Sequence, residues 1–310
     1  MTTRQLGFLF AFGSYFMYSL NTPIARQAFL DGMVPDTLLA YRFTLGAILF
    51  WITISLTSLA KAKEGEKKMD RFGILMGLGS GLLNGTAIYL FFNSLNLLPA
   101  SFVAVLGIGI YIIVVIVLLT IFGEPFTWVH GVRLALGLSG VWLLVGPSGD
   151  LGSQGVLWLA IGSACFAVHM ISIQWYLREY NTWAVSTLVV TATAALLIVL
   201  WLNTGRQSGE IDFAIPSFYS WIAVFFLAIC SSWLGRVFSY RALSILGSGE
   251  LALLTPTETL LAILWSVLFL REWLEPAQWV GAALIILGVG FVGVKWVYNR
   301  RFKATSVPAD

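Results

Sequence analysis

A glutamate lies inside an apolar stretch of the second half of the sequence, as Glu258 in Thr255-Pro256-Thr257-Glu258-Thr259. Placing a charged group in lipid costs roughly 2.5–3.5 kcal/mol on insertion scales, so this side chain needs a partner or water. Pro256 removes a backbone donor, a loss that is tolerated where hydroxyl groups or a water-lined cavity compensate. The pattern predicts that Glu258 binds a substrate ammonium group or carries a proton. The alternative is a structural ion pair with an arginine.

Three further ionisable side chains lie inside apolar stretches, at Arg236, His169 and Arg133. With Glu258 they would occupy one depth, where they could form a cytoplasmic-side gate that opens and closes in each cycle. Arg236 could equally hold a substrate carboxylate through a bidentate contact, and His169 could accept a proton if transport is proton-coupled. The alternatives are extension of both arginines to the membrane interface and a hydrogen-bonded packing role for His169.

Uncharged polar side chains near the middle of the apolar stretches complete the set of candidate cavity residues. An asparagine in lipid forms hydrogen bonds worth roughly 0.6–2 kcal/mol, so Asn84 either lines the cavity or bridges two helices. The candidates in this group are Ser14, Tyr18, Asn84, Tyr111, Ser232 and Trp233.

Other charged residues lie closer to the ends of the apolar stretches, and we expect structural roles for them. Arg42 belongs to the outer part of its stretch, where it would pair with Asp36 or Asp31 or extend to the outer interface. Glu124 and Glu272 end two stretches, and each would cap a loop or bond the neighbouring half of the protein.

The composition requires a membrane setting for these residues. Of 310 residues, 58% are hydrophobic and 11% are charged, and the mean hydropathy is +0.87. Soluble proteins carry roughly 25% charged residues, and one soluble core could not bury this much apolar surface. Continuous runs of about 20 apolar residues indicate helices, since barrel strands alternate. We mark ten runs: 6–29, 37–59, 72–95, 100–122, 128–145, 155–177, 182–202, 217–243, 249–270 and 277–297.

Basic residues near the ends of these runs predict the orientation of the chain. With the N-terminus in the cytoplasm, twelve Lys and Arg residues lie in cytoplasmic segments and three lie in outer segments. The positive-inside rule therefore places both termini in the cytoplasm. We expect a multi-pass protein of the plasma membrane, of the bacterial inner-membrane type.

The two halves of the sequence repeat with an offset of 148 residues. Five helices per half is an odd number, so the second half enters the membrane from the opposite side. Such inverted repeats are typical of transporters that alternate access around a site at mid-membrane. We divide the chain into repeats 1–147 and 148–310. The matching residues are Leu95, Ala104, Leu106, Glu124, Gly140 and Val141 with Leu243, Ala252, Leu254, Glu272, Gly288 and Val289.

At these residues the sequence resembles the drug/metabolite transporter superfamily, and in particular the EamA-type ten-helix carriers. The resemblance covers nearly the whole chain. The second copy departs from the motif where Arg271 replaces a glycine, and the first where Arg133 replaces one. The motifs are Leu39-Ala40-Tyr41-Arg42-Phe43, Ser94-Leu95 to Ala100-Ser101, Ala242-Leu243 to Ser248-Gly249, Gly123-Glu124, and the glycines Gly281, Gly288 and Gly290.

This resemblance implies an all-α fold of ten transmembrane helices arranged as two inverted five-helix repeats. It also implies secondary transport of small metabolites, commonly export of amino acids or related compounds. The central cavity would be lined by the first, third, fourth, sixth, eighth and ninth helices. A multidrug or other-solute carrier and a facilitative exchanger of the same fold are alternatives.

Other classes of protein fit the sequence less well. We find no phosphate-binding loop for ATP, no HExxH metal motif and no aspartate well inside a helix, so we expect neither an enzyme nor a cofactor or metal. Channels usually form pores from symmetric subunits or filter loops, which an internal inverted pair does not supply. The basic residues lie at segment ends, so nucleic acid is not an expected partner. The expected partners are a small-molecule substrate and the lipid bilayer, without an obligatory protein partner.

Overall fold

The computed structural model describes residues 3–59, 66–121, 128–145, 153–177, 179–208, 215 and 217–288, and these are helical almost throughout. In this part of the chain six helices are long and apolar enough to cross a membrane, and three shorter apolar helices accompany them. The helices are α1 (Thr3–Ser19), α2 (Asn21–Leu30), α3 (Pro35–Leu56), α4 (Arg71–Leu97), α5 (Ala100–Ile121), α6 (Trp128–Val145), α7 (Ser153–Ser172, continued as a π-helix over Ile173–Leu177), α8 (Thr182–Ser208), α9 (Phe218–Phe226, continued as a π-helix over Leu227–Gly235), α10 (Arg236–Trp265, continued as a π-helix over Ser266–Leu270) and α11 (Pro276–Gly288).

The first predicted run, 6–29, forms two helices, α1 and α2, which meet at Leu20. Proline explains the break, because Pro23 has no backbone N–H to donate to the carbonyl of Ser19. The Ser19 hydroxyl donates to the carbonyl of Phe16 at 2.8 Å. We call the end of the bundle at which α1 begins the inner end, after the predicted orientation, and the opposite end the outer end.

The eighth and ninth predicted runs, 217–243 and 249–270, share helix α10. Its backbone is helical over 30 residues, which would span about 45 Å if the helix were straight. Its contacts with α1 first move towards the inner end and then return towards the outer end, so the chain reverses direction within α10. These contacts, in chain order, are Phe238 with Gly13, Ile245 with Gly7, and Trp265 with Ser19.

Helices α4 and α8 pack with their backbones close together, and a glycine makes this possible. A Cβ atom added at Gly81 would lie 2.6 Å from the carbonyl oxygen of Val189 and 2.6 Å from the Cβ atom of Ala192. Small residues at such contacts are typical of membrane bundles, because lipid gives helices no hydrophobic reason to associate. The sequence therefore permits a tight contact between the two halves at this point.

In each half the helix of the third apolar run, α4 or α9, begins with a side-chain cap that the other half binds. At the inner end Asp70 caps α4 and accepts a hydrogen bond of 2.8 Å from the hydroxyl of Tyr180. At the outer end Ser217 caps α9 and donates to Asp31 at 3.1 Å. The caps are 147 positions apart and their partners 149 positions apart, close to the offset of the sequence repeat. Corresponding positions therefore make corresponding contacts at opposite ends, as an inverted repeat requires.

The cap at Asp70 is also an electrostatic site. The backbone N–H of Gly73 donates to Asp70 at 2.7 Å, and the ammonium group of Lys67 lies 3.1 Å from the carboxylate. The bonds from Gly73, Tyr180 and Lys67, in that order, lower the pKa of Asp70 to about 2. The carboxylate is therefore ionised at neutral pH and holds the start of α4 against the segment after α7.

Candidate functional site

A buried arginine, Arg42 on α3, joins the first half of the protein to the second. Its side chain is 4% exposed. Nε donates to the hydroxyl of Ser232 at 3.0 Å, and Nη2 donates to the hydroxyl of Ser231 and to the side-chain oxygen of Asn21, both at 3.0 Å. Ser231 and Ser232 belong to the π-helical continuation of α9, and Asn21 begins α2. We call Asn21, Arg42, Ser231 and Ser232 the outer cluster.

The expected pairing of Arg42 with Asp36 or Asp31 is wrong. Asp36 accepts a long hydrogen bond of 3.5 Å from Asn93, and Asp31 accepts bonds from Gln27 and Ser217. Side chains on one helix meet at spacings of three or four residues, and the six positions between Asp36 and Arg42 place them on different faces. Nor does Arg42 extend to the interface, because it turns into the bundle instead.

The guanidinium group of Arg42 is only partly satisfied. Within the described part of the chain all its hydrogen-bond acceptors are neutral, and Nη1, although buried, has no acceptor. The rings of Phe43 and Phe92 face the group, with centroids 5.0 and 5.3 Å from Cζ. Aromatic faces attract a cation but supply no hydrogen-bond acceptor in the plane of the guanidinium. The structure therefore contains a buried cation with an unused pair of donors.

A second buried polar group lies nearer the inner end, between α4, α7 and α8. Nδ1 of His169 lies 2.8 Å from the hydroxyl and 3.0 Å from the carbonyl oxygen of Ser80. The amide of Asn84 donates to the hydroxyl of Thr193 at 3.0 Å, which in turn donates to the carbonyl of Gly81 at 2.9 Å. We call Ser80, Asn84, His169 and Thr193 the inner cluster. Each of its side-chain bonds also crosses between the two halves.

The inverted repeat relates the two clusters. Asn21 and His169 are 148 positions apart, and so are Asn84 and Ser232. This is the offset at which the sequence repeats. The outer and inner clusters therefore contain equivalent positions of the two halves, displaced from the middle of the bundle towards opposite ends.

Arg236 is the predicted site residue whose charge reaches both clusters. It begins α10 directly after the π-helical segment, and its charge acts on both Arg42 and His169. The gate predicted from Arg236, His169 and Glu258 stays a prediction. Glu258, also on α10, is half-buried. The side chain of Arg133 lies outside the described residues.

Three predicted cavity residues form hydrogen bonds within the protein, and those of Asn84 and Trp233 join two helices, whereas that of Ser14 stays within α1. The amide of Asn84 bridges α4 and α8, which is one of the two roles expected for it. The indole N–H of Trp233 donates to Thr53 on α3 at 3.1 Å, and the hydroxyl of Ser14 donates to the carbonyl of Ala11 at 2.8 Å. These bonds are consistent with a structural contribution from each residue.

The two predicted tyrosines lie beside the clusters. The ring of Tyr18 packs against Gly235, at the end of the π-helical segment that carries Ser231 and Ser232. The ring centroid of Tyr111 on α5 lies 5.7 Å from that of Phe166, which lies 5.8 Å from the imidazole of His169.

Glu272 bonds the other half of the protein, which is one of the two roles expected for it. One carboxylate oxygen lies 3.4 Å from Nε of Arg26, and the other accepts the backbone N–H of Ala100 at 2.6 Å. Arg26 also donates to the carbonyls of Leu95 and Asn96. This link joins α2, the turn before α5 and the end of α10. Glu124 lies outside the described residues.

Sequence reasoning gives no role to Thr193, places Asn21 further out on the first helix and assigns Arg42 the wrong role, whereas Ser231 is among the polar side chains that it predicts near mid-membrane. One available signal was the repeat itself, because Asn21 stands 148 positions before His169. Asking which polar residue matched His169 in the other half would have pointed to the outer cluster.

Comparison with known proteins decides the family. The model of the EamA-like transporter family matches residues 5–146 and again residues 153–294. The chain belongs to the EamA-like transporter family. The resemblance seen in the sequence motifs is confirmed, and with it the fold of two five-helix repeats and a drug/metabolite type of transporter. The two matches begin at residues 5 and 153, which differ by the 148-residue offset of the sequence repeat.

One solved crystal structure of a protein is similar to this EamA-like chain. The two are 22% identical, with a TM-score of 0.59, over 93% of this chain and 96% of the other. At this identity the likeness concerns the fold alone. No curated protein matches the sequence. The EamA-like chain is thus a multi-pass membrane transporter.

Proposed function

We propose that this transporter is a secondary active carrier that exports small metabolites, amino acids or related compounds, across a bacterial-type plasma membrane. The observation that supports this proposal is the pair of equivalent polar clusters, each of which binds one half of the protein to the other. A carrier with inverted repeats works by moving its halves against one another around a fixed site. Contacts of this kind are the ones that such a movement would break and re-form.

In the proposed cycle the clusters act in turn. When Arg42 bonds Ser231 and Ser232, the outer end is held together, and when Asn84 bonds Thr193, the inner end is held together. A bond between neutral groups in a membrane, such as that of Asn84 with Thr193, contributes about 0.6–2 kcal/mol, and a bond to a charged group such as Arg42 contributes about 1.5–3 kcal/mol. The free energy of substrate binding would compensate for the bonds that break in each step. Glu258 and Arg236 would meet the substrate between the clusters, with Tyr18 and Tyr111 at the cavity wall.

The substrate's own gradient or protons would drive transport, without a cofactor or an obligatory protein partner. For proton coupling we propose Glu258 and His169 as carriers, because both lie in the membrane-spanning part and can change charge. Both termini would lie in the cytoplasm, as the basic residues predict.

Flux measurements test the carrier and its coupling. Purified protein in liposomes should show saturable uptake of radiolabelled amino acids with counterflow, and a pH gradient should change the initial rate. If flux never saturates with substrate concentration, the protein is a channel. If Glu258→Gln and His169→Ala both leave a demonstrated pH coupling intact, the proton hypothesis is wrong.

Cysteine accessibility in intact cells tests the orientation independently. Single cysteines placed near each terminus should resist a membrane-impermeant maleimide until the cells are opened. Labelling of one terminus and not the other from outside would contradict the antiparallel arrangement proposed for the halves.

A further inference from the structure

The geometry points to Arg42 as a binding site for the carboxylate of a small organic acid or amino acid. This inference deepens the proposed function and rests on it, since the bound acid would be the transported solute. Neither the family match nor the sequence motifs assign Arg42 a ligand.

Arg42 has N–H donors that no acceptor uses, and a carboxylate could bind them. A guanidinium group has five N–H bonds in one plane, and a carboxylate binds two of them side by side. In Arg42 the Nε and Nη2 groups have neutral acceptors, and the two N–H bonds of Nη1 have none. A buried donor without an acceptor loses its hydration with no compensation. An anionic acceptor at Nη1 would remove that deficit through one oxygen, and the bidentate contact would add the parallel N–H bond of Nη2 once Nη2 leaves its present neutral acceptors.

The surroundings of Arg42 also favour an anion, because its positive charge is not neutralised by its neighbours. Its neighbours Asn21, Ser231 and Ser232 are neutral, and the charge of Arg236 adds to the positive potential instead of cancelling it. Within the described part of the chain, therefore, no carboxylate neutralises Arg42. Ionisable side chains in a membrane pair with one another or with backbone carbonyls, and here the ligand would supply the opposite charge.

The polar neighbours can also bind the anion directly. Each serine hydroxyl accepts a bond from Arg42 through its oxygen and keeps its own hydrogen to donate. The side-chain nitrogen of Asn21 is likewise a donor. A carboxylate at this place would thus find hydroxyl and amide donors beside the guanidinium, while the faces of Phe43 and Phe92 supply an apolar wall.

Access to the site depends on the two irregular elements that form it. Nη1 is enclosed in the present conformation, so a ligand reaches it when α3 separates from the π-helical segment Leu227–Gly235. π-Helical turns are frequent at functional sites, and this one carries both serines. On the other side, the break at Leu20 lies next to Asn21. Movement at these two places would release Arg42 from its neutral acceptors and present it to the solute.

A carboxylate fits the site better than a phosphate does. One guanidinium fork with hydroxyl donors matches a planar, singly charged group, whereas a phosphate dianion requires more positive charge. An inorganic anion such as chloride would use the charge of Arg42 and not the planar geometry of its donors.

Acid and amide pairs test the inference on the unmodified protein. Purified full-length transporter in detergent is titrated with L-leucine, L-phenylalanine and 4-methylpentanoate, and with L-leucinamide, L-phenylalaninamide and 4-methylpentanamide. Thermal denaturation is recorded at constant ionic strength. At least one acid should raise the Tm in a saturable manner, with its amide at least tenfold weaker. Amides that match their acids, or acids without effect, would overturn the inference.

The separate arms identify the source of the carboxylate. Binding of 4-methylpentanoate as tightly as leucine indicates an organic acid, and tighter binding of leucine indicates an amino acid; either supports a carboxylate site. Stabilisation by sodium chloride that abolishes the acid response at equal concentration would instead assign Arg42 to an inorganic anion and overturn the inference.

Substitutions locate the effect. Arg42→Gln should abolish the acid response, and Arg42→Lys should weaken it at least tenfold, because an ammonium group keeps the charge and loses the fork. Arg206→Gln removes an exposed arginine from the outer end of α8 and should respond like the unmodified protein. An unchanged response in Arg42→Lys would contradict the inference, as would a lost response in Arg206→Gln. If Arg42→Gln does not fold, Arg42→Lys and the acid–amide pairs still show whether a carboxylate binds at Arg42.

Flux distinguishes failure of this inference from failure of the proposed function. Acids that bind through Arg42 without being transported would leave the binding site standing and refute the carrier role for them. Saturable transport of an amide as fast as its acid would leave the carrier standing and refute Arg42 as the carboxylate site.

Discussion

The outer and inner clusters occupy equivalent places in the two repeats, yet their chemistry differs. The outer cluster surrounds a permanently charged arginine that has donors to spare. The inner cluster surrounds a histidine and an asparagine whose bonds go to neutral hydroxyl and carbonyl groups. The position equivalent to Arg42 in the second half, 148 residues later, is Val190, which is fully buried. One duplicated framework therefore holds a charge at one end and none at the other.

This difference suggests that the two clusters have different functions. A group of satisfied neutral bonds can close a carrier without a bound anion, although His169 within it is proposed to accept a proton. A cation with unused donors gains from an anionic ligand each time it is uncovered. We therefore infer that the inner cluster mainly holds the halves together, and that the outer cluster also contacts the solute.

The most disruptive change would place an arginine in the second half, at the position that corresponds to Arg42. Val190→Arg would bury a guanidinium among apolar groups without the three acceptors that Arg42 has, at a cost of about 3 kcal/mol or more. We expect little monodisperse protein by gel filtration and a strongly lowered Tm. Val190→Met controls for side-chain length. If the Val190→Arg protein has the same Tm as the unmodified protein, the neutral acceptors are not what allows the guanidinium group of Arg42 to be buried.

The next change would force the inner cluster apart. Gly81→Ala places a Cβ atom 2.6 Å from the backbone oxygen of Val189, so α8 must shift and the Thr193 bond to Gly81 must stretch. Overpacking of this kind costs about 1–3 kcal/mol. Gly79→Ala is the matched control, because its Cβ would meet no atom within 4 Å. Chemical denaturation of both variants measures the difference, and equal stabilities would contradict the close contact.

A smaller effect is expected from the hydrogen bond between Asn84 and Thr193. A double-mutant cycle with Asn84→Ala and Thr193→Val should give a coupling energy of about 0.6 kcal/mol, and at most about 1.7 kcal/mol. The same cycle with Asn84→Ala and Thr187→Val is the control, since Thr187 bonds the carbonyl of Trp183 in its own helix. Additive effects in the first cycle would mean that this bond does not hold the halves together.

The smallest effect concerns the exposed cap at the inner end. Because the pKa of Asp70 is lowered to about 2 in the folded protein, its contribution to stability is complete above the ordinary carboxyl pKa, near 4. It should fade as the pH falls from about 4 to about 2. Asp70→Ala should be slightly less stable at pH 6 and should lose less stability than the unmodified protein between pH 4 and pH 2. Parallel losses in thermal melts would contradict this assignment.

Some features of the site could be read from the amino-acid sequence and some could not. For Glu272 the sequence left two roles open, capping a loop or bonding the neighbouring half, and its contacts with Arg26 and Ala100 support the second. For Asn84 the sequence left two roles open, and the bond to Thr193 supports the bridging role. The partners of Arg42 were missed, because Ser231 and Ser232 lie about 190 positions away in the chain.

The sequence by itself determined the membrane setting, the succession of apolar helices, the repeat and the family, since hydropathy and spacing are local properties of the chain. Only the tertiary structure decided which side chains meet, that α10 reverses direction, and that Arg42 turns inwards to bond the opposite repeat. The physical reason lies in the bilayer. Lipid is as apolar as the interior of the bundle, so the pattern of apolar residues does not reveal which face of a helix is turned towards its neighbours.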